Sequence, residues 1–337
     1  MDGAIDTVEA LEALEAQTGA RPAAVDLKVI DHLDAHALRW LAASPLAFAA
    51  FSDARQVDAT VAGGTPGFAS PSRPDQLRVP RAAFDDPRQA QAGRGAGFLF
   101  LIPGLGETLR INGMVLDEQG GEVVVGVQEC YAHCAKALLR SDFWRPDGAA
   151  PPDDPAAFLA ASRFMALATA DTALRTDLSP KGDPAGGLAR AYEGGIRYAD
   201  RPGNRRADSL RNILQRPCAA ALLIVPGCTR IAVARGSAHI SADPALRQAF
   251  AVRDKTPKLV TSLAAPAIEL RDSAALARAR PWQAAEPPAD IDPAEIFAAH
   301  VRLNKTRGLG AAIARGMVSI PGLMRKGLQQ DYKRNMY

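Results

Sequence analysis

No apolar run in this 337-residue chain approaches the roughly 20 residues that a helix needs to cross a bilayer. Met1 to Gln17 are acidic and lack the basic-then-apolar order of a secretory leader. A cytoplasmic protein without a membrane partner is therefore expected. Cysteine is scarce: Cys130, Cys134, Cys218 and Cys228 are too few to scaffold a chain of this size, which leaves free thiols. Net charge is small as well. A formal +3 gives no argument for a nucleic-acid partner. No P-loop and no Ser-His-Asp arrangement stands out. What remains, at 47% hydrophobic and 23% charged residues, is globular protein long enough for two cores.

The chain echoes itself. Leu99-Phe100-Leu101-Ile102-Pro103-Gly104 is followed by Gly106 to Gly113 and a closing Trp144; Leu222-Leu223-Ile224-Val225-Pro226-Gly227 is followed by Ile231 to Ile240 and Trp282. Upstream, Ala43-Ser44-Pro45 and Phe51-Ser52-Asp53 find echoes in Ala161-Ser162-Arg163 and Thr169-Ala170-Asp171. A repeat of this length means duplicated domains rather than a solenoid. Runs such as Phe98 to Ile102 and the Val-rich Glu122 to Val127 read as strands. The expected organisation is an acidic segment (1–24), a first domain (25–146), a Pro/Asp-rich linker (147–155), a second domain (156–284) and a basic helical tail (285–337).

Apolar spacing predicts a helix from Val25 to Leu41, with His32 and His36 four apart. With no third ligand nearby, a solvated helix flank is preferred to a metal pair. Cys130, His133 and Cys134 crowd too closely for a tetrahedral zinc site and have no complementary pair elsewhere, so no metal is expected. Asp53 and Asp171 read as turn acids. From Val301 onward the tail holds eight basic side chains against the single acid Asp331, with Ile313, Met317, Ile320, Leu323 and Met324 as an apolar side. Packing across a domain, or lining the mouth of an anion site, is preferred to membrane contact.

The densest polar constellation is Ser179-Pro180-Lys181-Gly182-Asp183-Pro184 together with Arg201-Pro202-Gly203-Asn204-Arg205-Arg206 and the helix opening near Asp208 or Ser209. A helix N-terminus flanked by Asn204, Arg205, Arg206 and Ser209 suits a phosphate, although a solvated basic turn accounts equally well for the composition. These segments, with Val225-Pro226-Gly227, resemble the pyridoxamine 5'-phosphate oxidase-like flavoproteins, which are FMN-binding split β-barrels. The first copy resembles one branch of them through Pro103 to Gly113 and His133-Cys134-Ala135-Lys136-Ala137.

The resemblance implies a mainly β, α+β fold: two tandem split barrels in an intramolecular pseudo-dimer, monomeric or further associated. It implies FMN as cofactor, held on the phosphate side by Ser179, Lys181, Asn204, Arg205, Arg206, Ser209 and Asn212. Glu107, Arg110, Asn112 and Lys136 would approach from the other copy, with His133 as the candidate catalytic group. Because each copy keeps motifs that the other lacks, a single composite site is expected. The leading function is an FMN-dependent oxidoreductase acting on a small molecule. The alternatives are a haem-binding or haem-degrading protein with His300 or His133 as axial ligand, and a flavin-binding protein without catalysis.

Overall fold

The computed structural model describes residues 7–337 other than 119, 149, 204, 205, 284, 285, 319, 321, 335 and 337. It is mainly β with flanking helices. The first half contributes β1 (Leu46–Ser52), β2 (Val57–Gly63), β3 (Ser70–Arg73), β4 (Gln76–Pro80), β5 (Gly95–Leu101), β6 (Thr108–Asp117) and β7 (Glu122–His133). The second contributes β8 (Phe164–Ala170), β9 (Thr176–Gly182), β10 (Ala189–Tyr192), β11 (Gly195–Ala199), β12 (Cys218–Ile224), β13 (Arg230–Ser241), β14 (Val260–Ala264) and β15 (Ile268–Asp272).

Two antiparallel sheets result, ordered β2-β1-β5-β6-β7-β4-β3 and β9-β8-β12-β13-β14-β11-β10, with β15 also on β13. Raising each strand number of the first order by seven reproduces the second. The arrangement fits two split-barrel-like domains, but neither strand path closes on itself, so the expected barrels are open sheets. The two sheets differ in how their long strands pair. In the first, the long β7 pairs along β6 through two register shifts; in the second, that length is divided between β14 and β15.

Period-two alternation explains why the central strands are buried throughout. In β1, Ala47, Ala49 and Phe51 point into the first sheet's own core, whereas Leu46, Phe48 and Ala50 point into a core shared between the sheets. In β12, Ala219, Ala221 and Leu223 serve the second sheet's own core, and Ala220, Leu222 and Ile224 serve the shared one. Glycines set how near the halves come. A Cβ on Gly182, at the end of β9, would lie 1.9 Å from the carbonyl oxygen of Ala137; one on Gly63, at the end of β2, would lie 2.6 Å from that of Ala275. Thus the second strand of each half seats a helix of the other half, Lys136–Arg140 or Ala274–Ala279.

The helix expected over 25–41 is shorter. A 3₁₀ turn covers Ala23–Asp26 and an α-helix covers Ala35–Ala43, where the Asp34 side chain accepts from the Ala37 amide and starts the helix. Between them, Ile30 bridges to Cys130, which draws the chain out straight. His32 therefore lies off the helix beside Asp31, and His36 pairs with Arg39. The chain ends cross over. Val8 and Leu14 enter the second sheet's core, while Ile291 and Ile296 enter the first sheet's core. The tail forms three helices, Pro293–Leu303, Leu309–Val318 and Leu323–Arg334. No described helix is long and apolar enough to cross a membrane.

The close approach at Gly182 is testable. Gly182→Ala should destabilise the chain by about 1–3 kcal/mol in denaturant unfolding, because backbone must move to admit the methyl group. Gly310→Ala, at a helical glycine with nothing within 4 Å, should be neutral or stabilising by up to ~1 kcal/mol.

Candidate functional site

A cavity of about 580 Å³ opens between the halves. Its first wall comes from β6, β7 and the helix behind them, through Arg110, His133 and Lys136; its second comes from β9 and the start of the helix Asp208–Gln215, through Ser179, Lys181, Arg206 and Ser209. These seven residues, separated by up to about a hundred positions, line one cavity. The helix does not begin with a side-chain cap as expected. Ala207 stands at its cap position with φ of 53°, leaving Asp208 and Ser209 as the first helical residues at the cavity wall. Its first amides have no capping side chain, so they add partial positive charge to that wall.

A buried polar frame holds these groups. Arg110 Nη1 donates to Asp177 at 2.5 Å across the two halves and to the Tyr131 hydroxyl at 2.8 Å. Asp177 accepts from Ser179 at 2.7 Å, and the Ser209 hydroxyl donates to Ser179 at 2.7 Å. Arg206 donates to Asp208 at 2.6 Å and lies 4.8 Å from the centre of the Tyr131 ring. Burial raises the Asp177 pKa despite Arg110. Burial works the same way on Asp208, but Arg206, Arg110 and Arg21 outweigh it and hold that carboxyl below its ordinary value. At the rim, Lys181 pairs with Asp200 at 2.9 Å and Lys136 with the tail's Asp331 at 2.8 Å.

His133 differs from its neighbours. Its Nδ1 is buried without a hydrogen-bond partner, and burial together with Arg110, Lys28 and Arg206 pushes its pKa well below the usual imidazole value. The ring is therefore neutral at neutral pH, with one nitrogen unused. Around the cavity, eight basic side chains face four aspartates, a surplus that selects for an anion.

Other expected residues lie elsewhere. Glu107 accepts from the Tyr332 hydroxyl at 2.9 Å, Asn112 donates to Glu129 at 2.8 Å, and Asn212 donates to Thr169 at 3.1 Å; none of the three lines the cavity. Asn204 and Arg205 fall outside the described residues. His300, one of the two haem-ligand candidates, is fully buried 3.3 Å from Asp34 and is absent from the lining. The carboxylate frame itself was missed. Its signal was available: Asp177 in Thr-Asp-Leu-Ser-Pro-Lys-Gly matches Asp58 in Val-Asp-Ala-Thr-Val-Ala-Gly.

The equivalent location in the other half is smaller and more fully paired. Asp85 accepts from Ser273 Oγ at 2.5 Å and from the Ala275 amide at 2.8 Å, occupying the start of the helix Ala274–Ala279. Arg278 donates to the carbonyls of Gly63 and Ala83 at 3.1 and 2.8 Å. Asp58 is met by Arg94 at 2.8 Å and by Arg235 at 3.2 Å. The small cleft there, about 250 Å³, is lined by three aspartates and three arginines, so its charges balance.

Residues 152–280 match the family model described as pyridoxamine 5'-phosphate oxidase. This pyridoxamine 5'-phosphate oxidase match spans the whole second sheet, including β9 and the helix that form one cavity wall, and leaves the first sheet out. No curated protein matches the chain. Similar solved structures include General Stress Protein 26 from Bacillus anthracis (15% identity, 35% of this chain and 95% of that one, TM-score 0.27). Others are HutZ, the haem storage protein from Vibrio cholerae (12%, 33% and 86%, TM-score 0.24), and an F420 reductase (16%, 36% and 95%, TM-score 0.26).

Behind the first wall, Lys28 Nζ donates to the Ala132 carbonyl at 2.8 Å and is buried, which lowers its pKa to about 8. Between that value and its ordinary 10.5 the unfolded chain holds more protons, so this lysine makes stability rise with pH through that window. Lys28→Met should therefore stabilise the chain at pH 7 by about 1–3 kcal/mol, and the gain should shrink as pH rises toward ~10.5. Denaturant unfolding at a series of pH values checks both.

Proposed function

We propose that this chain is an FMN-dependent oxidoreductase acting on a small molecule, with one composite cofactor site between two tandem copies of a split-barrel domain. The observation that carries this reading is the asymmetry between equivalent places: one is a cation-rich cavity of about 580 Å³, and the other is a cleft of about 250 Å³ whose charges balance. The matched strand orders and the match over residues 152–280 support it further. On this reading the two sheets form an intramolecular pseudo-dimer.

The donor set suits a phosphate-bearing cofactor. Ser179, Ser209, Arg206 and Lys181 would hold the phosphate beside the uncapped helix start, with Asn204 and Arg205 assigned there by resemblance. Arg206 and Lys181 would then exchange part of their pairing with Asp208 and Asp200 for the incoming dianion. The cofactor, when bound, supplies two-electron redox chemistry through its isoalloxazine ring. Arg110, fixed by Asp177, would present fixed positive charge to the reacting end of the cavity. His133 would offer Nδ1 of a neutral ring as a hydrogen-bond partner for the ring edge or the substrate. Lys136 belongs to the same wall but is engaged by Asp331.

The purified chain should show flavin bands with about one FMN per chain after release and counting. Arg206→Ala should weaken FMN binding by about tenfold to a hundredfold, the cost of one charge-assisted hydrogen-bonded contact. Arg278→Ala, in the equivalent location of the other half, should leave the stoichiometry unchanged. A Soret band instead of flavin bands would transfer the cavity to the haem reading. Failure to take up added FMN would overturn the cofactor assignment.

A further inference from the structure

The helix Leu309–Val318 is apolar on both sides. Its inner side, Ala311 and Val318, packs with Leu27, Ala298 and Val301 in a small cluster of its own. Its outer side carries Leu309, Ile313 and Met317 at successive four-residue steps, continued by Ile320, with exposures of 80, 56, 55 and 55%. A helix whose second face is also apolar requires something to cover that face. Three large side chains on one helix face, with exposed Ile320 just beyond the helix end, form a patch, unlike scattered exposed leucines.

The surroundings identify what covers it. From Val301 to Tyr337 the chain carries eight basic residues and one acid, and that acid, Asp331, is held by Lys136 at the cavity. Lys305 and Arg325 pair with Asp31 and Asp292, and Arg315 donates to the Asn304 and Thr306 carbonyls, while Arg302, Arg307 and Lys326 are exposed near the ridge in sequence. An apolar ridge with basic flanks on a helix lying along the protein surface suits the boundary between headgroups and acyl chains of an anionic bilayer. A second copy of this chain is a poorer match. Stable protein interfaces use about 20–30 residues a side, far more than the ridge offers, and the basic flanks of two copies would repel.

We propose that the helix Leu309–Val318 docks this protein peripherally on anionic lipid surfaces through Leu309, Ile313, Met317 and Ile320, without spanning them. The expectation of no membrane partner rested on the lack of a spanning segment and on the tail packing inward. The first is compatible with docking, and the second holds for only one side of this helix. The inference is independent of the cofactor assigned to the cavity.

The test is co-sedimentation of the full chain with vesicles of phosphatidylcholine alone or mixed with phosphatidylglycerol, at low and high salt. Binding should require phosphatidylglycerol and weaken with salt. The double variant Ile313→Glu/Met317→Glu should lose at least about tenfold in partitioning while keeping the wild-type melting temperature. Leu309→Ser, at the most exposed position, should change partitioning in the same direction and covers the case in which the double variant fails to fold. Equal binding to neutral vesicles, equal binding of the variants, or no binding would overturn the proposal. So would a concentration-dependent dimer of the wild type that the same variants abolish, since the ridge would then be covered by a second copy.

Discussion

The core shared between the sheets determines where everything else can be. Strands β1, β5, β8 and β12 bury both faces, and each spends one of them on the other half of the molecule. That requires small side chains at the nearest approach, which is why alanine and glycine recur there and why Gly182 and Gly63 meet helix backbone. With the sheet centres occupied in this way, functional groups are left to the margins of the shared face, where strand ends, turns and helix starts of both halves converge.

Two margins arise, and charge distinguishes them. At both, an aspartate on the second strand of one half is met by an arginine of the other half: Asp177 by Arg110, and Asp58 by Arg235. The first pair is buried on both sides, so it costs desolvation and contributes little net stability, but losing one partner would leave an isolated charge; the second has a half-exposed arginine, and Asp58 also keeps Arg94. At the second margin the pairing continues until every charge is matched inside the protein. At the first, the lining arginines and lysines outnumber the lining aspartates even though most of them are paired within the protein.

Much of this was legible in the sequence because it depends on local chemistry. The paired Pro-Gly strand ends, the Val-rich β7 and the Arg-rich turn before a helix each carry a short-range signal, and seven of the expected site residues do line one cavity. What was illegible depends on tertiary contact. The helix expected across 25–41 yields where Ile30 pairs with Cys130, a partner one hundred residues away. Glu107, Asn112 and Asn212 sit in segments resembling binding motifs, yet their side chains turn to Tyr332, Glu129 and Thr169. The contacts at the second margin include Asp85 and Arg278, ordinary residues until the two halves are brought together.

The crossing of the chain ends bears on the order in which the molecule can be assembled. Residues near the start are covered only by the second sheet, and the first sheet obtains part of its cover from Ile291 and Ile296. During synthesis the first sheet therefore emerges with an exposed apolar side and waits for almost the whole chain before it is sealed. The opening segment likewise has nowhere to settle until β13 has been made, since Thr7 bridges to Ser241. The halves are laced together from opposite ends, so neither can be released from the ribosome as a finished unit, and a chain stalled between them would present the aggregation-prone faces that chaperones bind.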